Sequence, residues 1–205
     1  MTRLYCATGN PGKLREFRMA AGPQVEIVPL PGFHEIAPCL EDGSTFEENA
    51  VRKARHYGIH AAGLLFADDS GLEVDALGGA PGIYSARFAG NDATDDANNR
   101  LLVARLRGVT QRSARFVCAL ALVEGDRLVG TYRATVEGKI AAEPRGCEGF
   151  GYDPLFYYPP FGCTLGEVAD ERKFEVSHRG KALRTMVAEL MAQSRRAGES
   201  PAPPT

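Results

Sequence analysis

The apolar positions of this 205-residue chain change period several times, and each change predicts an element. Residues 4–7 read as a short strand running into a Gly-rich turn, and residues 13–21 as the helix that follows. Thr45 with Glu48 three residues later has the form of a capping box, and Phe46, Ala50, Ala54 and Tyr57 recur at helical spacing, which predicts a helix over 45–58. A buried strand over 64–67 and a helix over 95–106 come next. The apolar run 115–124 meets Gly125-Asp126 before a strand-like pattern resumes over 128–136, the signature of a β-hairpin. From close to Ser177, the residues Leu183, Met186, Val187, Leu190 and Met191 follow the stripe of an amphipathic helix and are expected in the core. Residues 194–205, rich in Pro, Ala, Ser and charge, lack the apolar content to order themselves. With no internal repeat and no linker, the expectation is one α/β domain on a mixed sheet over 1–193, followed by a disordered tail over 194–205.

Composition narrows the partners. A hydrophobic content of 44% is ordinary for a globular domain, and 24 Lys and Arg against 26 Asp and Glu leave a net charge of -2. No overall positive field draws such a chain to nucleic acid or to an anionic membrane, so affinity for phosphate must come from a local pocket. No segment approaches the roughly 20 apolar residues that span a bilayer, and the first residues carry no secretory apolar run, which makes the cytoplasm the expected compartment. The five cysteines are odd in number and no two are separated by only two residues, so a zinc knuckle or a thioredoxin-like motif is unsupported and free thiols are expected. Cys147 has no evident base beside it in the sequence.

Chemistry enters in short blocks. Thr8-Gly9-Asn10-Pro11-Gly12-Lys13 lies between a strand and a helix, where backbone N–H groups, the positive end of the helix dipole and the Lys13 charge suit a phosphate. It is not a Walker A loop, because the glycines stand too close together and Leu14 takes the place of the metal-binding hydroxyl; alone it also fits an ordinary turn. Asp68-Asp69-Ser70-Gly71 puts two carboxylates directly after the strand over 64–67, on different sides of the chain. Such oxygens suit Mg²⁺, and a carboxylate near a bound water can accept its proton, although a polar turn has the same composition. Glu41-Asp42-Gly43 offers a further ligand. Gly149-Phe150-Gly151-Tyr152-Asp153-Pro154 pairs aromatic faces, which stack on bases, with a carboxylate that accepts from a ring N–H. His178-Arg179 places donors at the start of the last helix, where a solvated helix start is the plain alternative.

Taken in order, the strings at 7–13, 45–50, 67–72, 78–87, 149–154 and 177–183 resemble one family, the inosine triphosphate pyrophosphatases, also described as dITP/XTP or non-standard purine NTP pyrophosphatases. The likeness runs from about residue 3 to 192. It implies a curved mixed β-sheet flanked by helices, two lobes around a nucleotide cleft, a homodimer, Mg²⁺ dependence, and hydrolysis of ITP, dITP or XTP to the monophosphate and pyrophosphate. Carried over by residue, Thr8, Gly9, Asn10, Pro11, Gly12 and Lys13 would grip the triphosphate, and Lys53 would help order it. Glu41 and Asp69 would hold the metal, with Asp68 a further or alternate metal carboxylate, and Asp69 would accept the proton of the attacking water. Ser70, Phe150, Gly151, Tyr152, Asp153, Lys173, His178 and Arg179 would contact the nucleotide. The competing readings are a pyrophosphatase for other modified NTPs and a nucleotide-binding regulator without turnover. The adjacent Asp68-Asp69 pair argues against the regulator, since binding alone gains nothing from two repelling carboxylates beside phosphates.

Overall fold

A computed structural model describes residues 1–198. Seven strands form one open sheet in the order β2-β1-β3-β4-β5-β6-β7. They are β1 (Thr2–Cys6), β2 (Val25–Pro29), β3 (Leu64–Val74), β4 (Ser113–Glu124), β5 (Arg127–Ile140), β6 (Phe156–Tyr158) and β7 (Cys163–Thr164). The sheet is parallel across β2, β1 and β3 and antiparallel from β3 to β7, so the expected mixed α/β architecture is present. The helices are α1 (Pro11–Ala20), α2 (Phe46–Gly58), α3 (Asp95–Arg105), α4 (Asp170–Val176) and α5 (His178–Gly198).

Local chemistry explains the helix starts. Asn10 caps α1 by accepting from the Lys13 N–H, and Pro11 follows at the first helical position, where its missing donor is not needed. Thr45 caps α2 by accepting from the Glu48 N–H, but the Glu48 carboxylate reaches Ser44 rather than returning to Thr45, so the reciprocal half of the box closes one residue upstream. Gly125, with φ +62°, turns the hairpin between β4 and β5.

Two boundaries differ from the sequence pattern. β3 does not end at Ala67: Asp68, Asp69 and Ser70 continue it, paired with Leu120, Ala119 and Cys118 of β4. Polar residues persist in this central strand because tertiary partners, invisible to local periodicity, compensate each of them. α5 runs on to Gly198, past the point where the apolar stripe stops, because the Gln, Ser, Arg and Ala residues beyond 192 are adequate helix formers and elongation of an existing helix is easy. The tail expected from 194 is therefore helical at its start, and 199–205 lie outside the described residues.

The core falls into three clusters. One, including Leu4, Phe17, Phe66, Leu120 and Met186, lies between the sheet and α1 and α5. A second, including Ala50, Ala54, Leu65, Ala67 and Ala119, lies between the opposite face and α2. The third, including Leu72, Leu102, Phe116, Tyr152 and Phe156, packs α3 and β6 at the far end of the sheet. Among the described residues, no helix is long and apolar enough to cross a membrane.

Candidate active site

The alternation of β3 organises the site. Phe66 belongs to the α1/α5 cluster and Leu65 and Ala67 to the α2 cluster, so Asp68 and Ser70 look toward α1 and α5 while Asp69 looks toward α2. The two carboxylates are neighbours in sequence and open on opposite faces.

On the first face, the Lys13 ammonium lies 2.8 Å from Asp68 Oδ2, and the Ser70 hydroxyl donates to the same oxygen at 2.9 Å. Arg179 comes down from α5, donating to Glu16 Oε2 at 2.9 Å and to Ser70 Oγ at 2.8 Å. Burial opposes ionisation of Asp68, yet the charges of Lys13, Arg179 and Lys53 outweigh it and hold the carboxyl well below the usual range. Asp68 is therefore an anion fixed among cations.

Beside this cluster opens a cavity of about 130 Å³, bordered by Asn10, Lys13, Ser70, Phe150, Asp153, His178 and Arg179. The Phe150 ring is one wall, with Lys173 Nζ 4.7 Å and the Arg179 guanidinium carbon 5.0 Å from its centroid. Lys173 is fully buried and paired with Asp153 Oδ2 at 2.5 Å, and the same oxygen accepts from the Phe150 N–H at 2.8 Å. Burial nevertheless pushes the Asp153 carboxyl up. Gly12 lets the loop approach Phe150 closely: a Cβ on it would stand 3.0 Å from the ring, which would have to give by a few tenths of an ångström. His178 stacks on Phe116 at 4.9 Å with an interplanar angle of 14°, and its Nε2 is buried without a partner. Burial, reinforced by Arg179, Lys173 and Lys13, pulls its pKa well below the ordinary value, so the ring is neutral at physiological pH.

On the opposite face, Lys53 stands between Glu41 Oε2 at 3.0 Å and Asp69 Oδ1 at 3.1 Å. Burial alone would favour the neutral amine, but Asp69, Asp68 and Glu41 raise its pKa. Asn49 donates to Asp69 Oδ2 at 3.1 Å while its own oxygen accepts from the Gly43 N–H at 2.9 Å, tying the loop that carries Glu41 to the carboxylate. Burial raises the Asp69 pKa despite Lys53 and Asn49, opposite to the direction at Asp68.

Most of the expected site residues meet around β3. Among the described residues no three His, Cys, Asp or Glu side chains are placed to hold a metal ion together. Glu41 and Asp69 share one ammonium, while Asp68 is turned to the other face by the strand's period of two and is engaged by Lys13 and Ser70. Arg179 borders the cavity with its guanidinium bonded to Glu16 and Ser70, and its Nε, like His178 Nε2, is buried without a hydrogen-bond partner. Thr8 holds the loop by accepting from the Asn10 N–H at 3.2 Å. The sequence reading missed Glu16, Asn49, Ser85, Asp95, Asn99 and Phe116; of these, an Asn such as Asn49 inside a helix is a poor helix former that signals a tertiary partner. All five cysteines are free, and Cys6 and Cys118 are buried thiols whose pKa burial raises well above the usual value.

The sequence profile described as the Ham1 family matches residues 4–189. A dITP/XTP pyrophosphatase of Exiguobacterium sp. is 48% identical over 190 residues, spanning 92% of this chain and 97% of that protein. Another of the same name, from Syntrophobacter fumaroxidans, is 52% identical over 185 residues, 88% of this chain and 78% of its own length. Among solved structures, the Staphylococcus aureus Ham1 protein superposes with a TM-score of 0.83 at 38% identity, covering 94% of this chain and all of that one. The dITP/XTP pyrophosphatase of Mycobacterium abscessus gives 0.72 at 40% identity, over 90% and 98% of the two chains. With the profile spanning nearly the whole domain and relatives near half identity, this chain belongs to the Ham1 family.

Proposed function

We propose that the protein is a nucleoside triphosphate pyrophosphatase that hydrolyses non-standard purine nucleoside triphosphates, dITP, ITP and XTP, to the monophosphate and pyrophosphate, clearing them from the nucleotide pool. The observation that carries the reading is the division of β3: a base-sized cavity and the Lys13 cation lie on the Asp68 side, and a raised-pKa carboxylate with Glu41 and Lys53 lies one residue away. The names of the relatives above give the substrate class.

In this reading the triphosphate lies along the loop from Thr8 to Lys13, with Lys53 ordering it from the other face. Phe150 stacks on the base and His178 meets its edge. Glu41 and Asp69 suit Mg²⁺: both offer hard carboxylate oxygens, and they already converge on a cationic centre, the Lys53 ammonium, at 3.0 and 3.1 Å. Bound there with water and substrate phosphates completing its shell, the ion would neutralise phosphate charge and increase the acidity of water. Asp69 accepts the proton of the water that attacks the α-phosphorus, and the β and γ groups leave still joined. We further place the enzyme in the cytoplasm as a homodimer.

Incubation with a panel of ITP, dITP, XTP, GTP, ATP and modified pyrimidine triphosphates, with Mg²⁺ and with chelator, tests this by chromatography. Pyrophosphate and monophosphate from the hypoxanthine and xanthine nucleotides, lost on chelation, are expected. Orthophosphate as the product, or labelled oxygen from water in pyrophosphate and none in the monophosphate, would refute it.

A further inference from the structure

We propose that Asp95 and Asn99 of α3 are positioning residues for nucleobase selection, holding the Phe150–Gly151 turn and thereby fixing the Phe150 ring that walls the cavity. The inference rests on the pyrophosphatase reading above and adds to it a part of the molecule that touches neither phosphate nor metal ligands.

Asp95 Oδ2 accepts from the Gly151 N–H at 2.7 Å, and Asn99 Nδ2 donates to the Gly151 carbonyl at 2.9 Å. The two residues are one helical turn apart on α3, so one face of one helix grips both backbone groups of a single residue. Gly151 has φ +64°, in the left-handed region. One peptide earlier along the chain, the Phe150 N–H is held by Asp153 Oδ2 at 2.8 Å. The peptides before and after Phe150 are therefore both fixed, and the ring's approach to the cavity is decided by the backbone rather than by rotamer choice alone.

The residue before Asn99 on α3 makes the clamp reach across the cavity. Asn98 accepts from the Ala89 N–H at 2.8 Å and donates to the Ala86 carbonyl at 3.2 Å, while the Tyr152 hydroxyl donates to the Ser85 carbonyl at 2.8 Å. Ser85 and Ala86 border the same cavity as Phe150 and Gly151. α3 thus brackets two walls, and its bonds set the gap between them.

Donor and acceptor chemistry makes the test specific. A carbonyl only accepts, so Asn99 must turn its NH₂ to Gly151, and its oxygen is left buried without a partner. Asn99→Asp keeps the shape but sets oxygen against oxygen. Asp95 has to accept from an N–H, so Asp95→Asn retains the bond through its amide oxygen and Asp95→Ala loses it. Asp95 is exposed, which lets the alanine variant fold.

The measurement is the ratio of kcat/KM for ITP to that for GTP. Losing one such bond at a specificity site is worth roughly a decade of discrimination, so Asn99→Asp and Asp95→Ala are each expected to lower the ratio about tenfold, mainly through KM for ITP. Asp95→Asn should keep the ratio. In a Phe150→Ala background Asn99→Asp should change it no further, a non-additivity that mere loss of stability would not produce. Melting curves verify folding; should Asn99→Asp fail to fold, Asp95→Ala, its Asn counterpart and the Phe150→Ala background decide. A selective wild type whose ratio is unmoved in the variants, or effects that add fully to Phe150→Ala, would overturn the positioning role alone. A wild type with no triphosphate hydrolysis would instead overturn the parent reading.

Discussion

Replacing Asp69 by Asn preserves the size of the side chain and removes its charge and its basicity, and the surroundings allow the two consequences to be separated. Both carboxylate oxygens are in use, Oδ1 by Lys53 and Oδ2 by Asn49. An amide has one oxygen, which the charged Lys53 will take, so the new NH₂ faces the NH₂ of Asn49. Asn49 cannot turn over in response, because the Gly43 N–H holds its oxygen at 2.9 Å. One buried donor is left unpaired, a loss of ~1–3 kcal/mol. For a domain of this size that corresponds to a fall in Tm of roughly 2–12 °C, while a typical stability of ~5–15 kcal/mol keeps nearly every molecule folded at 25 °C. The catalytic loss is larger, since a positioned base contributes ~10²–10⁴-fold. Pyrophosphate release from dITP, measured beside a melting curve, should therefore drop by orders of magnitude in a protein that remains folded. An Asp69→Asn protein retaining more than about a tenth of wild-type turnover would refute the base assignment, because no folding effect of the expected size could mask the missing proton acceptor.

Three other outcomes follow from the geometry. Lys173→Met leaves Asp153 buried without its cation, and loss of one partner of such a pair should destabilise by ~3–5 kcal/mol in denaturant melts; adding Asp153→Asn should recover much of it, and an unchanged midpoint in the single variant would show that the pair is not buried in solution. His178 is buried and neutral with a pKa below its unfolded value of about 6.5, so the unfolded chain binds more protons in acid: stability is fully present above pH ~6.5 and falls as pH drops from there toward the folded pKa. His178→Phe should flatten the Tm-versus-pH curve in that window, and an unaltered slope would contradict it. Gly58→Ala should destabilise although alanine favours helix by ~1 kcal/mol, because its Cβ would lie 2.1 Å from the Gly125 carbonyl oxygen of the hairpin turn; a higher Tm would refute that close approach.

Much of the site was legible because its residues carry local constraints as well as chemistry. Asn10 and Pro11 start a helix, Gly12 admits the Phe150 ring, and Gly149 and Gly151 adopt left-handed backbone, so each block has a recognisable form before its partners are known. What stayed hidden depends on contacts far along the chain. Glu16 looks like one more charge on a helix surface, and only Arg179, 163 residues away, makes it a buried anion. Asn99 looks like an indifferent helix residue until Gly151 arrives from 52 residues away. β2 was missed for the opposite reason: five residues beside Pro23 and Pro31 are too short to show a period, and the strand exists because β1 offers a parallel edge.

β3 shows how far pairing register controls the chemistry. By its pattern alone the strand should stop where the carboxylates begin, yet eleven successive pairs with β4 carry it through them. That pairing assigns Asp68 to the Lys13–Arg179 face and Asp69 to the Lys53–Asn49 face, and the assignment gives two adjacent, identical side chains opposite pKa shifts. A slip of one residue would exchange the faces, presenting Asp69 to Lys13 and Asp68 to Lys53. It would also turn Leu65, Ala67 and Leu72 out of their clusters, so hydrophobic packing along the strand locks the register that sets each carboxylate on its face. The two groups differ in acidity because of where the sheet points them, a difference that neither their order in the sequence nor their shared chemistry reveals.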